Sequence, residues 1–255
     1  MTAHGALAPI GARASARVRL AVFAAVFLCA LGVRLLYAAN AMDDLYGYEQ
    51  ERYRIAHFYH EAAAGLVEGD DRVVFPRDVA AEDTLLVGYP PGYFVFMAVC
   101  YAASDDGMAA VLLAQCVVDA AACVVLALLG EAIGSSLVGF VAGMLMAFSP
   151  QFAYLSLVLK PDTLTVAPVL AAFLLVLLGA RRERLRAWVS AGLLLGLACW
   201  LRQNALLLAP AMALSAVALA PSRRNAAGGG LLVAVCLAVV APITIRNVAV
   251  YGTPI

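Results

Sequence analysis

Apolar runs separated by short polar links make up most of the chain, and one long polar stretch interrupts them early. A helix needs about 20 predominantly apolar residues to cross the ~30 Å hydrocarbon core of a bilayer. Val18 to Ala39 supplies the first such run, and the later ones are roughly Met108 to Leu129, Ser135 to Phe148, Pro161 to Ala180, Ala187 to Leu201, Asn204 to Ala220 and Gly229 to Ile245. This pattern predicts an all-α, polytopic transmembrane helical bundle of about seven spans with a large first outer loop.

Within that loop, residues 40–107, the stretch from Asp43 to Asp83 alone holds eleven of the seventeen acidic residues. A membrane protein that gathers its carboxylates in one place is expected to bind or react there. Within the loop Ile55, Phe58, Tyr59, Ala62 and Leu66 recur at helical spacing, with Glu51, Arg52, Arg54 and Glu61 before and between them. The spacing predicts an amphipathic helix, lying either on the membrane surface or packed on the loop as an ordinary surface helix. Further on, Tyr89-Pro90-Pro91-Gly92-Tyr93 leads into the short apolar run Phe94 to Ala103. Proline presets φ at a helix start and disfavours helix before it, so a helix begins at Pro91 or just after. At ~1.5 Å per residue this helix reaches roughly 20 Å, enough to dip into the membrane and too little to cross it.

Composition excludes a soluble globular domain: 64% of residues are hydrophobic and 13% charged, against an apolar share of about one half in soluble domains. The six cysteines, Cys29, Cys100, Cys116, Cys123, Cys199 and Cys236, lie inside apolar runs without CxxC or Cys/His metal spacing. They read as small buried hydrophobes. Arg13, Arg17 and Arg19 precede a run too long for the apolar core of a secretory signal, so an uncleaved first span is expected.

The formal net charge is zero, but the placement of the signs orients the chain. Basic residues are retained on the cytoplasmic side. Three clusters, Arg13/Arg17/Arg19, Arg181/Arg182/Arg184/Arg186 and Arg223/Arg224, fall on that side only if the helix after Pro91 does not cross. The expected division is a cytoplasmic N-terminus over 1–17, the first span over 18–39, an outer catalytic loop with a short re-entrant or interfacial helix over 40–107, six further spans over 108–247 and an outer C-terminal end over 248–255. Asp43, Asp44, Glu49, Pro90, Pro91, Lys160, Asp162, Arg202, Gln203, Asn204, Arg246 and Asn247 then all arrive at the outer face.

Lys160, Arg202 and Arg246 at outer helix ends, with Arg34 in the outer half of the first span, run against the positive-inside preference. Each alone is as well explained by snorkelling or by pairing with Asp162 and the loop carboxylates. As a group they point to a lipid phosphate at headgroup depth. Group transfer from a phosphate-linked carrier needs a base for the acceptor's proton and positive charge for the leaving phosphate. Asp43, Asp44 or Glu49 is the candidate base. Asp162 joins them or holds a divalent metal cation, a candidate cofactor, through oxygen ligands. His57 and His60 are three apart without a second ligand cluster, which favours a solvated face over a metal pair. The chain has no P-loop and no GxGxxG, so neither a nucleotide site nor a nucleic-acid partner is expected.

These residues carry a resemblance. Tyr53-Arg54-Ile55-Ala56 and Ala64-Gly65-Leu66 follow the acidic start of the loop. Tyr89-Pro90-Pro91-Gly92-Tyr93 comes next, then Phe148-Ser149-Pro150 with Leu157 to Asp162. Gly192 to Ala198 running into Leu201-Arg202-Gln203-Asn204-Ala205, and Ala241-Pro242-Ile243-Thr244-Ile245-Arg246-Asn247 with Tyr251-Gly252, complete the series. In this order they resemble membrane glycosyltransferases of the GT-C class, in the protein O-mannosyltransferase-like and lipid A glycosyltransferase-like superfamily. The resemblance implies inverting transfer of a sugar from a polyprenyl-phosphate donor to a lipid, glycan or protein acceptor on the outer face. It implies a catalytic acid in the first outer loop: Asp43 or Asp44 by distance from the first span, Glu49 counted back from Tyr53. Asp162 matches the acidic position after the Ser-Pro element; Lys160, Arg202, Arg246 and Arg34 are the donor-phosphate candidates. Tyr89, Pro90, Pro91, Tyr93 and Asn204 are the substrate-loop candidates. Members of the family run longer, so a truncated or naturally short form is expected here.

Two other readings stand beside it. A transporter or flippase for an anionic lipid-linked substrate would use the same charges without chemistry, but calls for an inverted repeat that the chain does not display. A non-catalytic fragment is the third. The alanine-rich composition points to a bacterial inner membrane.

Overall fold

A computed structural model of the chain describes residues 15–44, 54–70 and 89–252. The helices are α1 (Ala16–Asp44), α2 (Arg54–Val67), α3 (Gly92–Ala103), α4 (Gly107–Ile133), α5 (Ser136–Ala147), α6 (Pro150–Leu155), α7 (Asp162–Arg182), α8 (Leu185–Leu201), α9 (Leu208–Leu219) and α10 (Arg223–Tyr251). A 3₁₀ segment, Gln203–Leu207, joins α8 to α9. Among the described residues there is no strand, as an all-α bundle requires.

Every apolar run of the sequence is helical, but four helices, α1, α4, α7 and α10, are long and apolar enough to cross a membrane. The segments 92–103, 136–147, 185–201 and 203–219 are apolar and shorter. At ~1.5 Å per residue the twelve residues of α5 cover only about 18 Å. A run such as Ser135 to Phe148 is apolar throughout, yet Ser135 caps α5 at one end and the turn at Phe148 and Ser149 before Pro150 stops it at the other. Helix α1 runs five residues past the expected end of the first span, to Asp44, and α10 continues to Tyr251, where Gly252 takes the left-handed conformation (φ 70°) that closes many helices.

The helices α4, α5, α7, α8, α9 and α10 alternate in direction as they follow one another along the chain, so alternate helix ends meet. At one end Arg19 of α1 pairs with Glu131 of α4 (Nη2 to Oε2 2.9 Å), and Ser136 of α5 donates to the same carboxylate. Arg181 of α7 donates to the Ala132 carbonyl at 2.6 Å, and Asn225 of α10 donates to the carbonyls of Ala180 and Ala220. The described members of the three arginine clusters therefore belong to this end; Arg13 lies outside the described residues. The start of α7, the ends of α8 and α10 and the end of α1 lie at the other. Small residues allow the close approaches: a Cβ on Gly139 of α5 would lie 2.3 Å from the Ala127 carbonyl oxygen of α4.

Helix α2 has the predicted amphipathic pattern, and its apolar face is packed on protein. Ala56, Tyr59, Ala62 and Ala63 are buried in one cluster with Tyr93, Phe94 and Met97 of α3. Helix α3 starts where the prolines predicted, with Pro91 immediately before its first residue.

Candidate functional site

The end opposite the arginine clusters contains a cavity of about 250 Å³. Four stretches of chain line it: Ile55 and Tyr59 from α2, Tyr89 and Pro90 before α3, Lys160 and Pro161 before α7, and Leu201 to Asn204 at the α8 to 3₁₀ junction. Each wall has a local cause. Pro91 and Pro161 stand immediately before the first residues of α3 and α7, so both helices start beside the cavity. Helix α8 ends as Arg202 turns to extended backbone (φ −144°, ψ 112°). Gly92 lets the first turn of α3 press on α8, because a Cβ there would sit 2.4 Å from the Trp200 carbonyl oxygen.

Among the described residues, the charges at the cavity are two cations and one carboxylate. Arg202 donates from Nη2 to Oδ1 of Asp162, tying the end of α8 to the start of α7. Asp162 in the first turn also meets the positive end of the helix dipole. Lys160 adds a second described cation on the wall. Tyr59 and Tyr89 meet edge to face, ring centroids 6.1 Å apart, and Tyr59 meets Tyr93 in the same way at 4.8 Å. Burial first of all raises the Tyr59 phenol above its ordinary range, Tyr89 and Asp162 adding to the rise and Arg202 opposing it. Tyr59 is therefore a neutral donor at any physiological pH.

Of the residues singled out by sequence, Lys160, Asp162, Arg202, Asn204, Tyr89 and Pro90 come together here. Pro91 caps α3, and Tyr93 points into the bundle, its hydroxyl donating to Gln115 at 2.6 Å. Arg246 lies in the last turns of α10, donates to Asn247 at 2.9 Å, and is not among the residues lining the cavity. Arg34 is elsewhere: fully buried, it is paired with Asp119 and donates to the carbonyls of Ala30 and Ala147. Asp43 and Asp44 are the last two residues of α1; Glu49 lies outside the described residues. Among the described residues no three His, Cys, Asp or Glu side chains converge as metal ligands. His57 faces Glu61 in the open, and His60 shares a 2.7 Å hydrogen bond with Tyr101.

Sequence reasoning did not assign Tyr59, Ile55 or Gln115 to the site. The helical spacing of Ile55 and Tyr59 was visible, but that this face meets the Tyr89 turn was not. Gln115 lies in mid-run on α4, where periodicity gives a polar residue no distinguishing mark.

The chain matches the dolichyl-phosphate-mannose-protein mannosyltransferase family over residues 89–245. The match covers more than half of the chain and begins at the Tyr89 turn, so it includes every cavity residue except the two from α2. No curated protein matches the chain.

Proposed function

The chain belongs to the dolichyl-phosphate-mannose-protein mannosyltransferase family and is a membrane glycosyltransferase; from this premise we propose that it moves a sugar from a polyprenyl-phosphate donor to a lipid, glycan or protein acceptor at the cavity between α2, α3, α7 and α8. The observation that carries the proposal is the meeting of Lys160, Arg202 and Asp162 with the Tyr89-Pro90 turn around one cavity, at the bundle end away from the arginine clusters. By the positive-inside preference that end faces outward, toward the periplasm if the membrane is a bacterial inner membrane.

In the proposed reaction the acceptor's hydroxyl oxygen attacks the anomeric carbon. The carbon–oxygen bond to phosphate breaks, its electron pair leaves with the polyprenyl phosphate, and a carboxylate takes the hydroxyl proton. Lys160 and Arg202 stabilise the leaving phosphate, and Asp162 holds Arg202 in place. Asp43 or Asp44 at the end of α1, or Glu49 beyond it, is the proposed base. A divalent cation would draw on Asp162 and the acidic loop.

The test is sugar release from radiolabelled polyprenyl-phosphate sugars by purified membranes, comparing wild type with Asp43→Ala/Asp44→Ala, Glu49→Ala and Lys160→Ala. Loss of turnover in one carboxylate variant with carrier binding retained identifies the base. Wild type that binds carriers and turns over none of them overturns the transferase reading in favour of transport or a non-catalytic role.

A further inference from the structure

We propose that Gln115, in the interior of α4, is the positioning residue that holds two walls of the cavity at their working separation. The inference rests on the reading of the cavity as a donor site. Gln115 is fully buried, and its amide makes three hydrogen bonds. Oε1 accepts from the Tyr93 hydroxyl at 2.6 Å, while Nε2 donates to the carbonyls of Ser156 at 3.0 Å and Val158 at 3.1 Å. Both amide hydrogens are thus used on one irregular segment, and the oxygen on α3.

What those partners carry makes the arrangement more than core satisfaction. Residues 156–161 have neither helix nor strand and lead directly to Lys160 and Pro161 on the cavity wall and to Asp162 beyond. Gln115 donates to two of their backbone carbonyls, and the Val158 carbonyl it reaches also accepts from the Lys160 N–H at 2.7 Å, so the amide holds the turn that carries Lys160. Tyr93 lies three residues beyond Pro90, on the first turn of the helix whose entry forms the opposite wall. One side chain therefore links the Lys160 wall to the Tyr89-Pro90 wall without touching the cavity itself. A glutamate in its place accepts from Tyr93 but cannot donate as an anion, and a leucine does neither.

The test pairs a ligand readout with one that needs no ligand. Binding of a short-chain polyprenyl phosphate is measured for wild type, Tyr93→Phe, Gln115→Leu and the double variant, each with its thermal unfolding midpoint. In parallel, Lys160→Cys is labelled with a charged thiol reagent, once with Gln115 intact and once combined with Gln115→Leu, the parents without Lys160→Cys serving as blanks. Gln115→Leu is expected to weaken binding tenfold or more and to change the labelling rate several-fold. Tyr93→Phe should weaken binding less, and the double variant no more than Gln115→Leu alone. An unchanged labelling rate, a change in labelling without loss of binding, or strictly additive losses overturns the proposal. If Gln115→Leu fails to fold, Gln115→Glu and Tyr93→Phe are read by the same two measurements. Wild type that does not bind the probe overturns the donor-site reading instead, while the labelling result still decides whether Gln115 sets the Lys160 wall.

Discussion

Arg34 and Asp119 form an ion pair inside the bundle, Nε to Oδ2 at 2.5 Å, with neither side chain reaching the surface. It ties α1 to α4, and the second Arg34 branch donates at 2.9 Å to Ala147 at the end of α5. Removing one member of a buried pair strands the other charge and costs about 3–5 kcal/mol, whereas apolar replacement of both is often neutral. Asp119→Leu is expected to lower stability by that amount, and Arg34→Met/Asp119→Leu to recover most of it, read by denaturant unfolding in detergent. Single and double variants of equal stability would show that the pair does not clamp α1.

The same pair marks where the sequence stops being legible. Arg34 stood out as a cation in an outer half-span, but Asp119 is one carboxylate in the middle of a long apolar helix, and only the packing of α1 on α4 reveals their pairing. Lys160, Asp162, Arg202 and Asn204 were legible for the opposite reason: they sit at the ends of apolar runs, and helices that alternate in direction bring alternate ends together. Helix lengths were less legible, because hydropathy counts apolar residues while Ser135 and the Phe148-Ser149-Pro150 turn decide where α5 begins and ends.

Arg202 and Asp162 are partly exposed, so their pair contributes little to stability, at most about 1 kcal/mol. Its effect is expected on the donor. A charge-assisted hydrogen bond to phosphate is worth about 1.5–3 kcal/mol, so Arg202→Ala should raise KM for the donor by about 10- to 150-fold. Asp162→Asn, which leaves Arg202 present but less firmly held, should raise KM by less. A collapse of kcat with KM unchanged in Asp162→Asn would place Asp162 in the chemical step rather than in orientation.

Gly92→Ala puts a Cβ 2.4 Å from the Trp200 carbonyl oxygen and 2.9 Å from its Cβ. Backbone cannot yield as a flexible side chain does, so α3 must move off α8 at the cavity wall. The expected cost is about 1–3 kcal/mol, with loss of donor binding. Gly230→Ala, with no atom within 4 Å of its new Cβ, is the control and should keep both. Equal behaviour of the two variants would refute the close contact as the reason for glycine at position 92.

Tyr59 and Tyr93 both hold their protons more tightly in the folded chain than in the unfolded one, chiefly because burial disfavours the phenolate. A raised folded pKa contributes stability that is complete below the unfolded value, about 10, and is lost as pH rises beyond it. The unfolding midpoint should therefore be insensitive to these groups between pH 7 and about 9.5 and fall above about pH 10. Tyr59→Phe should make that alkaline fall shallower. An identical alkaline limb in wild type and variant would show that Tyr59 ionises as freely folded as unfolded.

Orientation is testable independently of activity, because the two ends of the bundle carry different residues. Gln203 is exposed on the cavity wall, and Arg182 is exposed at the end of α7 in the arginine-rich end. Since basic clusters are retained on the cytoplasmic side, Gln203→Cys should react with a membrane-impermeant maleimide in intact cells. Arg182→Cys should react only after the membrane is opened. The reverse pattern would turn the cavity toward the cytoplasm, where the donor phosphate would have to be presented from the inner leaflet. Reaction of both residues from outside would mean that α8, the one helix between them, does not carry the chain across.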